Sequence, residues 1–247
     1  MRVVTYNIHK GFRAGGRTLV TDPMKSAVHE LAPDLLFLQE VVGQHDAYKQ
    51  RFSGWPEGPQ HDFFRSEALT HFAYGKNMVY PNGHHGNALL SRIPMLLETN
   101  VDITVISYAK RGFIYSQLKP SSDPTLVLHA ICVHMGLVDY ERRRQAKAIC
   151  DYLDERVPPG APIIVAGDFN DWFQKLSPYF KERLGLDEAF LSFYGSHART
   201  FPSWLPMSRL DRIYFKNLKL QSCERLIGEP WNRLSDHLPL VADFDFL

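Results

Sequence analysis

The sequence predicts an α/β fold in which two β-sheets pack face to face with helices outside them. Three observations predict it. Several short runs are apolar without alternation, as in strands covered on both faces. Helical periodicity is confined to a few segments. Proline and glycine are scattered in ones and twos with no linker or low-complexity stretch, so residues 1–247 read as one domain.

The elements follow in order. Val3-Val4-Thr5-Tyr6 opens a strand. Met24, Ala27, Val28 and Leu31 recur at helical spacing behind Asp22-Pro23, which reads as an N-cap with proline at the first helical position. Leu35 to Leu38 is a doubly buried strand, and Ala88 to Leu90 and Leu126 to Val133 are similar. Ala146, Ile149, Cys150, Leu153 and Val157 mark a longer helix, with Arg142, Arg143 and Arg144 read as its solvated start. Ile163 to Ala166 is another buried strand. Ser177-Pro178 opens a short helix that Gly185 closes. Ile213 to Phe215 and Val241 to Phe246 are the last strands. Residues 53–64, 74–86 and 196–208 read as loops rich in aromatic residues, His, Pro and Gly.

Composition narrows the function. There are 28 Lys+Arg against 27 Asp+Glu, a net charge of +1. That balance disfavours a domain that holds nucleic acid mainly by bulk charge. With 45% hydrophobic and 22% charged residues, the chain is globular rather than disordered. Cys132, Cys150 and Cys223 are too few and scattered for a disulfide framework or zinc knuckle, and read as small core residues. No signal-peptide pattern opens the sequence, and no apolar run approaches the roughly 18 residues that span a bilayer. A cytoplasmic monomer is expected.

Several apolar runs end in a polar residue that a buried strand has no structural use for. The first strand ends in Asn7, and Leu35-Leu36-Phe37-Leu38-Gln39-Glu40 in Glu40. Leu128 to Val133 runs into His134, and Ile163 to Ala166 into Gly167-Asp168-Phe169-Asn170. Asp211 is embedded in an apolar strand between Arg209 and Arg212, and Asp236-His237 precedes the final strand. Each has a plain alternative: a turn for residues 167–171, a solvated charge for Glu40, a cap for Asn7, an ion pair for Asp211. Together they suit one site, because strand ends on a rigid core hold side chains in place. Carboxylate and amide oxygens without thiolate suit a hard cation, Mg²⁺ or Mn²⁺, whose shell substrate phosphate and water complete. Histidines add proton transfer.

These marks, in this order, resemble the endonuclease/exonuclease/phosphatase superfamily, and they span the chain from Asn7 to His237. Within it the chain is most similar to a small bacterial branch, through Tyr6 to Phe12, Ala73 to Gly75, Gly83 to Ala88 and Ala198 to Pro202. The resemblance implies a four-layer α/β/β/α sandwich of DNase-like type. It implies that Glu40, with Asn7 beside it, is the principal metal-binding group and that Asp236 is a second carboxylate near the metal. Asp168 and Asn170 would orient the attacking water and hold the phosphate, with Asp168 also near the metal. His237 would sit on the phosphate as general base or transition-state stabiliser, oriented by Asp211. His134 would be a second phosphate ligand. Nucleases of the superfamily often carry an acidic residue where this chain has His9.

The implied reaction is hydrolysis of a phosphate ester by an in-line water. Arg111 offers a fork that matches two phosphate oxygens. Trp55, Trp172, Trp204 and Trp231 could stack on a base, border a lipid headgroup or simply pack. His84 and His85, with His9, form a weak candidate for a zinc site. Three readings compete: a Mg²⁺-dependent phosphodiesterase or phosphatase acting on a small or lipid-derived phosphoester, a DNA or RNA nuclease, and a non-catalytic binding module. Charge balance and His9 favour the first.

Overall fold

Strand Arg2–Asn7 (β1) pairs in parallel with Leu35–His45 (β2), and helix Thr21–Glu30 (α1) makes the crossover that a parallel pair requires. The arrangement is repeated later in the chain. Leu128–His134 (β7) pairs in parallel with Ile163–Asp168 (β8) across helix Asp139–Arg156 (α4). Each pair is the centre of a six-stranded mixed sheet. The computed structural model describes residues 1–120 and 126–247.

The first sheet has the order β11-β12-β1-β2-β4-β3, with β3 His71–Tyr80, β4 Gly83–Ser91, β11 Leu218–Arg225 and β12 Leu240–Phe246. The second has the order β5-β6-β7-β8-β10-β9, with β5 Met95–Asp102, β6 Gly112–Leu118, β9 Asp187–Glu188 and β10 Asp211–Lys216. Shorter helices are α2 Asp46–Arg51, α3 Gln60–Phe63, α5 Leu176–Leu184 and α6 Ala189–Tyr194.

Strand alternation explains the continuous apolar runs. In β2, Leu35 and Phe37 face the second sheet, where they pack with Ala130, Cys132, Ile164 and Ile213. Leu36 and Leu38 face outward onto Met24 and Val28 of α1. In the second sheet, Ile131, Val133, Val165 and Tyr214 face outward onto Ala146, Ile149 and Leu153 of α4 and Phe180 of α5. Both faces of each sheet are covered, giving four layers and three apolar seams. The three cysteines are free and buried, as expected. No helix among the described residues is long and apolar enough to cross a membrane.

Some expectations change. Helix α1 begins at Thr21, with Val20 at the cap position, so Asp22 and Pro23 lie in its first turn. Proline is tolerated there because first-turn amides have no intrahelical partner. Arg142 is not solvated: it is 1% exposed and donates to the carbonyls of Gly136 and Leu137, whereas Arg143 and Arg144 are exposed. Residues 74–86 are mostly strand, forming the β3–β4 hairpin. Glu40 is not at a strand end, because β2 continues to His45.

Candidate active site

The polar residues converge because the strand ends that carry them share one edge of the sandwich. His134 and Asp168 are register partners across β7 and β8, and Asp168 and Asp211 across β8 and β10. Asn7 reaches over from the first sheet: its Nδ2 donates to Asp168 Oδ2 at 3.0 Å and to Glu40 Oε1 at 3.5 Å.

Local backbone features aim these groups. The pairing of β2 with β4 slips between Leu38 and Val41, and Glu40 lies at that bulge with φ 57°. The bulge turns the Glu40 side chain toward the site in mid-strand, a recognised use of such irregularities. Gly167 precedes Asp168 with φ 152°, and a Cβ there would lie 1.9 Å from the Val133 carbonyl oxygen. Only glycine lets β7 and β8 approach closely enough to set His134 beside Asp168. Asn170 (φ 49°) donates its backbone N–H to Asp168 Oδ1 at 2.9 Å and its amide to the Met135 carbonyl at 3.0 Å. Asp171 accepts from the amides of Lys175 and Leu176 and anchors the entry to α5.

Asp168 is the hub. Besides Asn7, its Oδ2 lies 3.5 Å from His134 Nε2 and 3.7 Å from His237 Nε2. The other nitrogen of His237, Nδ1, is 2.9 Å from Asp211 Oδ2. Asp211 therefore pairs with an imidazole and not with Arg209 or Arg212. Its Oδ1 is buried with no hydrogen-bond partner. Ser235 Oγ donates to the Asn7 carbonyl at 2.7 Å, tying the Ser235–His237 segment to the end of β1. The Phe201 ring packs on the His237 imidazole, with centroids 5.0 Å apart.

The second group of carboxylates faces the opening. Glu40 and Asp236 side chains are 20% and 26% exposed, against 2% and 1% for Asp168 and Asp211. Lys10 Nζ contacts Glu40 Oε2 at 2.8 Å, and His9 Nδ1 lies 3.8 Å from Asp236 Oδ1. His9 and Lys10 both have positive φ, 45° and 59°. Consecutive non-glycine residues in that region are rare and cluster at functional sites.

The electrostatics separates the two histidines. Burial lowers the pKa of His237, but Asp211, Asp168 and Asp236 outweigh it and hold the imidazole up at about 10. Burial dominates at His134 and pushes it down to about 4 despite Asp168. Burial opposes ionisation of Glu40, yet Lys10, with lesser help from His134 and His9, drives its pKa far below the usual range. The site thus carries one imidazolium and one neutral imidazole around Asp168.

Other residues fall differently. Arg111 lies by His134, lining the same small crevice, but its guanidinium bonds the carbonyls of Met135 and Lys110 rather than a site side chain. His84 and His85 are neighbours on β4, so they point to opposite faces. His84 Nδ1 meets the Tyr74 hydroxyl at 3.0 Å. Among the described residues, the His, Cys and carboxylate side chains whose ligand atoms are already gathered closely enough to share one ion are Asp168, Asp211 and His237, a group without His9, His84 or His85. Trp231 is buried and Trp55 packs at a tilt against Phe12 and Tyr48, while Trp172 and Trp204 are exposed. Sequence reasoning gave no individual role to Lys10, Ser235 or Phe201. The adjacency of Lys10 to His9 and of Ser235 to Asp236 was the available signal.

Comparison with known proteins identifies the fold and the family. The family model for the endonuclease/exonuclease/phosphatase family matches residues 4–237. The protein YbhP of Escherichia coli is 41% identical over 242 residues, covering 98% of this chain and 95% of that one. The crystal structure of an endonuclease/exonuclease/phosphatase from Beutenbergia cavernae superposes with a TM-score of 0.80 at 18% identity, over 99% of this chain and 71% of that one. The catalytic domain of human nocturnin, solved with a bound sulfate anion, gives 0.73 at 22% identity, over 100% and 93%. The chain belongs to the endonuclease/exonuclease/phosphatase family, a family of phosphoester hydrolases.

Proposed function

We propose that the protein is a Mg²⁺-dependent hydrolase of small or lipid-derived phosphoesters, with Asp168 as the hub of its catalytic centre. The observation that carries this reading is the ring around Asp168 Oδ2: an amide at 3.0 Å and imidazole nitrogens at 3.5 and 3.7 Å. A buried carboxylate between two imidazoles of opposite protonation state is arranged for proton transfer rather than for stability.

A divalent cation fits the residues present. Glu40, Asp236 and Asp168 would supply carboxylate oxygens, donors that suit Mg²⁺ or Mn²⁺, while Asn7 turns its Nδ2 to Glu40 and Asp168 and holds those two carboxylates in place. Lys10 already satisfies the demand of Glu40 for positive charge. When bound, the cation would polarise the phosphoryl oxygen and offset charge developing on it.

The chain's own residues then divide the work. Asp168, held by Asn7 and by the Asn170 backbone amide, presents a fixed carboxylate that accepts a proton from the attacking water. His237 is held by Asp211 with Nδ1 as its donor, so Nε2–H points into the site and donates to a phosphoryl oxygen. His134, kept neutral by burial, offers a second donor or acceptor beside Asp168. Arg111, beside His134, and Lys10, on Glu40, are permanent cations bordering the site.

A phosphoester panel assayed with Mg²⁺ tests this reading: inositol phosphates, glycerophosphodiesters, phospholipids, plasmid DNA, abasic DNA and RNA. Turnover of the small or lipid-derived esters supports it. Turnover confined to the nucleic acids replaces it with the nuclease reading.

A further inference from the structure

Three loops border the His237 side of the site, and each ends in exposed apolar side chains. The loop after β7 carries Leu137 and Val138, 63% and 52% exposed. The loop after β8 carries Trp172 and Phe173, and the loop after Thr200 carries Trp204, Leu205 and Met207, all exposed. These loops hold seven of the seventeen large apolar side chains exposed among the described residues. The loops adjoin one another. Asn170 bonds the Met135 carbonyl, joining the first loop to the second. Trp172 meets Phe201 edge-on at 6.0 Å, joining the second to the third. Phe201 packs on His237, so the edge adjoins the catalytic imidazole.

Exposed apolar side chains gathered this way mark an interaction surface, because isolated ones are normal but contiguous ones are not. The occupant is set by the residue types. Two tryptophans with aliphatic neighbours are the composition of membrane-interface anchors, whose rings settle at headgroup depth. Arg143, just beyond Val138 on α4, and Lys175, two residues after Phe173, are exposed and meet at Asp139. Against these two cations stands the single carboxylate of Asp139, which pairs with Arg143 at 2.8 Å and with Lys175 at 3.6 Å. The surplus is positive and complements anionic headgroups.

We propose that this edge is a docking surface for a phospholipid bilayer, inserting Trp172, Phe173, Trp204 and Leu205 at the headgroup level and turning the His237 side of the site toward the membrane. The inference rests on the lipid-derived phosphoester reading and specifies the physical form in which that substrate is met. Adsorption needs no membrane-spanning segment, since shallow apolar insertion combined with headgroup attraction suffices.

The test is cosedimentation of the full chain in EDTA with vesicles of phosphatidylcholine alone or mixed with phosphatidylglycerol, together with tryptophan quenching by brominated phosphatidylcholine. Wild type should pellet with the mixed vesicles and be quenched. Phe173→Ser combined with Trp204→Ser should lower the bound fraction at least tenfold while leaving the thermal melt in place. Wild type that stays in the supernatant overturns the proposal. So does binding that the double variant leaves unchanged, which assigns it to headgroup charge alone. Binding of single-stranded DNA that the double variant abolishes, with no vesicle binding by wild type, assigns the edge to nucleic acid. Hydrolysis is assayed separately on soluble bis(p-nitrophenyl) phosphate, so failure of the catalytic reading does not register as failure of docking.

Discussion

His237 Nδ1 lies 2.9 Å from Asp211 Oδ2, and both side chains are buried. This contact fixes which nitrogen faces the reaction and supplies part of the charge that keeps the imidazole protonated. Asp211→Asn replaces the carboxylate with an amide of the same shape. We expect kcat to fall by about a hundred- to ten-thousand-fold, with KM changed far less, measured by steady-state kinetics. Unchanged kcat removes Asp211 from the mechanism.

The two histidines should titrate far apart in EDTA-treated protein. His237 is held at about 10 and His134 at about 4, so at neutral pH the first is cationic and the second neutral. A raised pKa adds stability that is complete below the ordinary histidine value of about 6.5 and is lost as pH rises through about 10. A lowered one removes stability as pH falls from about 6.5 through 4. Metal-free protein should therefore lose Tm on both sides of neutrality, and Asp211→Asn should flatten the alkaline limb. ¹⁵N NMR of the imidazoles checks the assignment directly, and two ordinary titrations near 6.5 contradict it.

Lys10 neutralises Glu40 where a divalent cation is proposed to bind. Removing that charge should help the cation. Lys10→Met should tighten Mn²⁺ binding, read by calorimetry, by up to about fivefold, the range of a partly exposed ion pair. Weaker binding would show that Lys10 supports the metal site instead of competing with it.

Gly167 carries a structural prediction. A Cβ would meet the Val133 carbonyl oxygen at 1.9 Å, in a backbone conformation that L side chains rarely adopt. Gly167→Ala should lower stability by at least about 1–3 kcal/mol, read from urea unfolding. A change of a few tenths would mean that β7 and β8 part without cost.

The fold was legible because its strands are buried on both faces. Leu35-Leu36-Phe37-Leu38 has no alternation because alternate residues serve two seams, and the sequence shows that directly. The hairpin over residues 71–91 was legible only at Ala88 to Leu90, since Gly83, His84, His85 and Gly86 carry turn chemistry although the backbone there is paired, with a register shift between Lys76 and Met78. The helix start at Asp139 hid Arg142, because burial of a guanidinium depends on the Gly136 and Leu137 carbonyls that only tertiary structure brings near. At the site, Asn7, Asp168, Asp211, His134 and His237 stood out as polar residues at the ends of apolar runs. Lys10 did not, since its partner Glu40 is 30 residues away and is turned toward it by a bulge that no local pattern announces.

The central claim is that Asp168 drives phosphoester hydrolysis with a divalent cation. The most direct test is hydrolysis of bis(p-nitrophenyl) phosphate by wild type and Asp168→Ala, each with Mg²⁺ and after EDTA. The account predicts turnover by wild type with Mg²⁺, its loss in EDTA and its return on adding Mg²⁺. It predicts a fall of at least about 10²–10³-fold for a folded Asp168→Ala. Wild-type rates that persist in EDTA, or in Asp168→Ala, would contradict it.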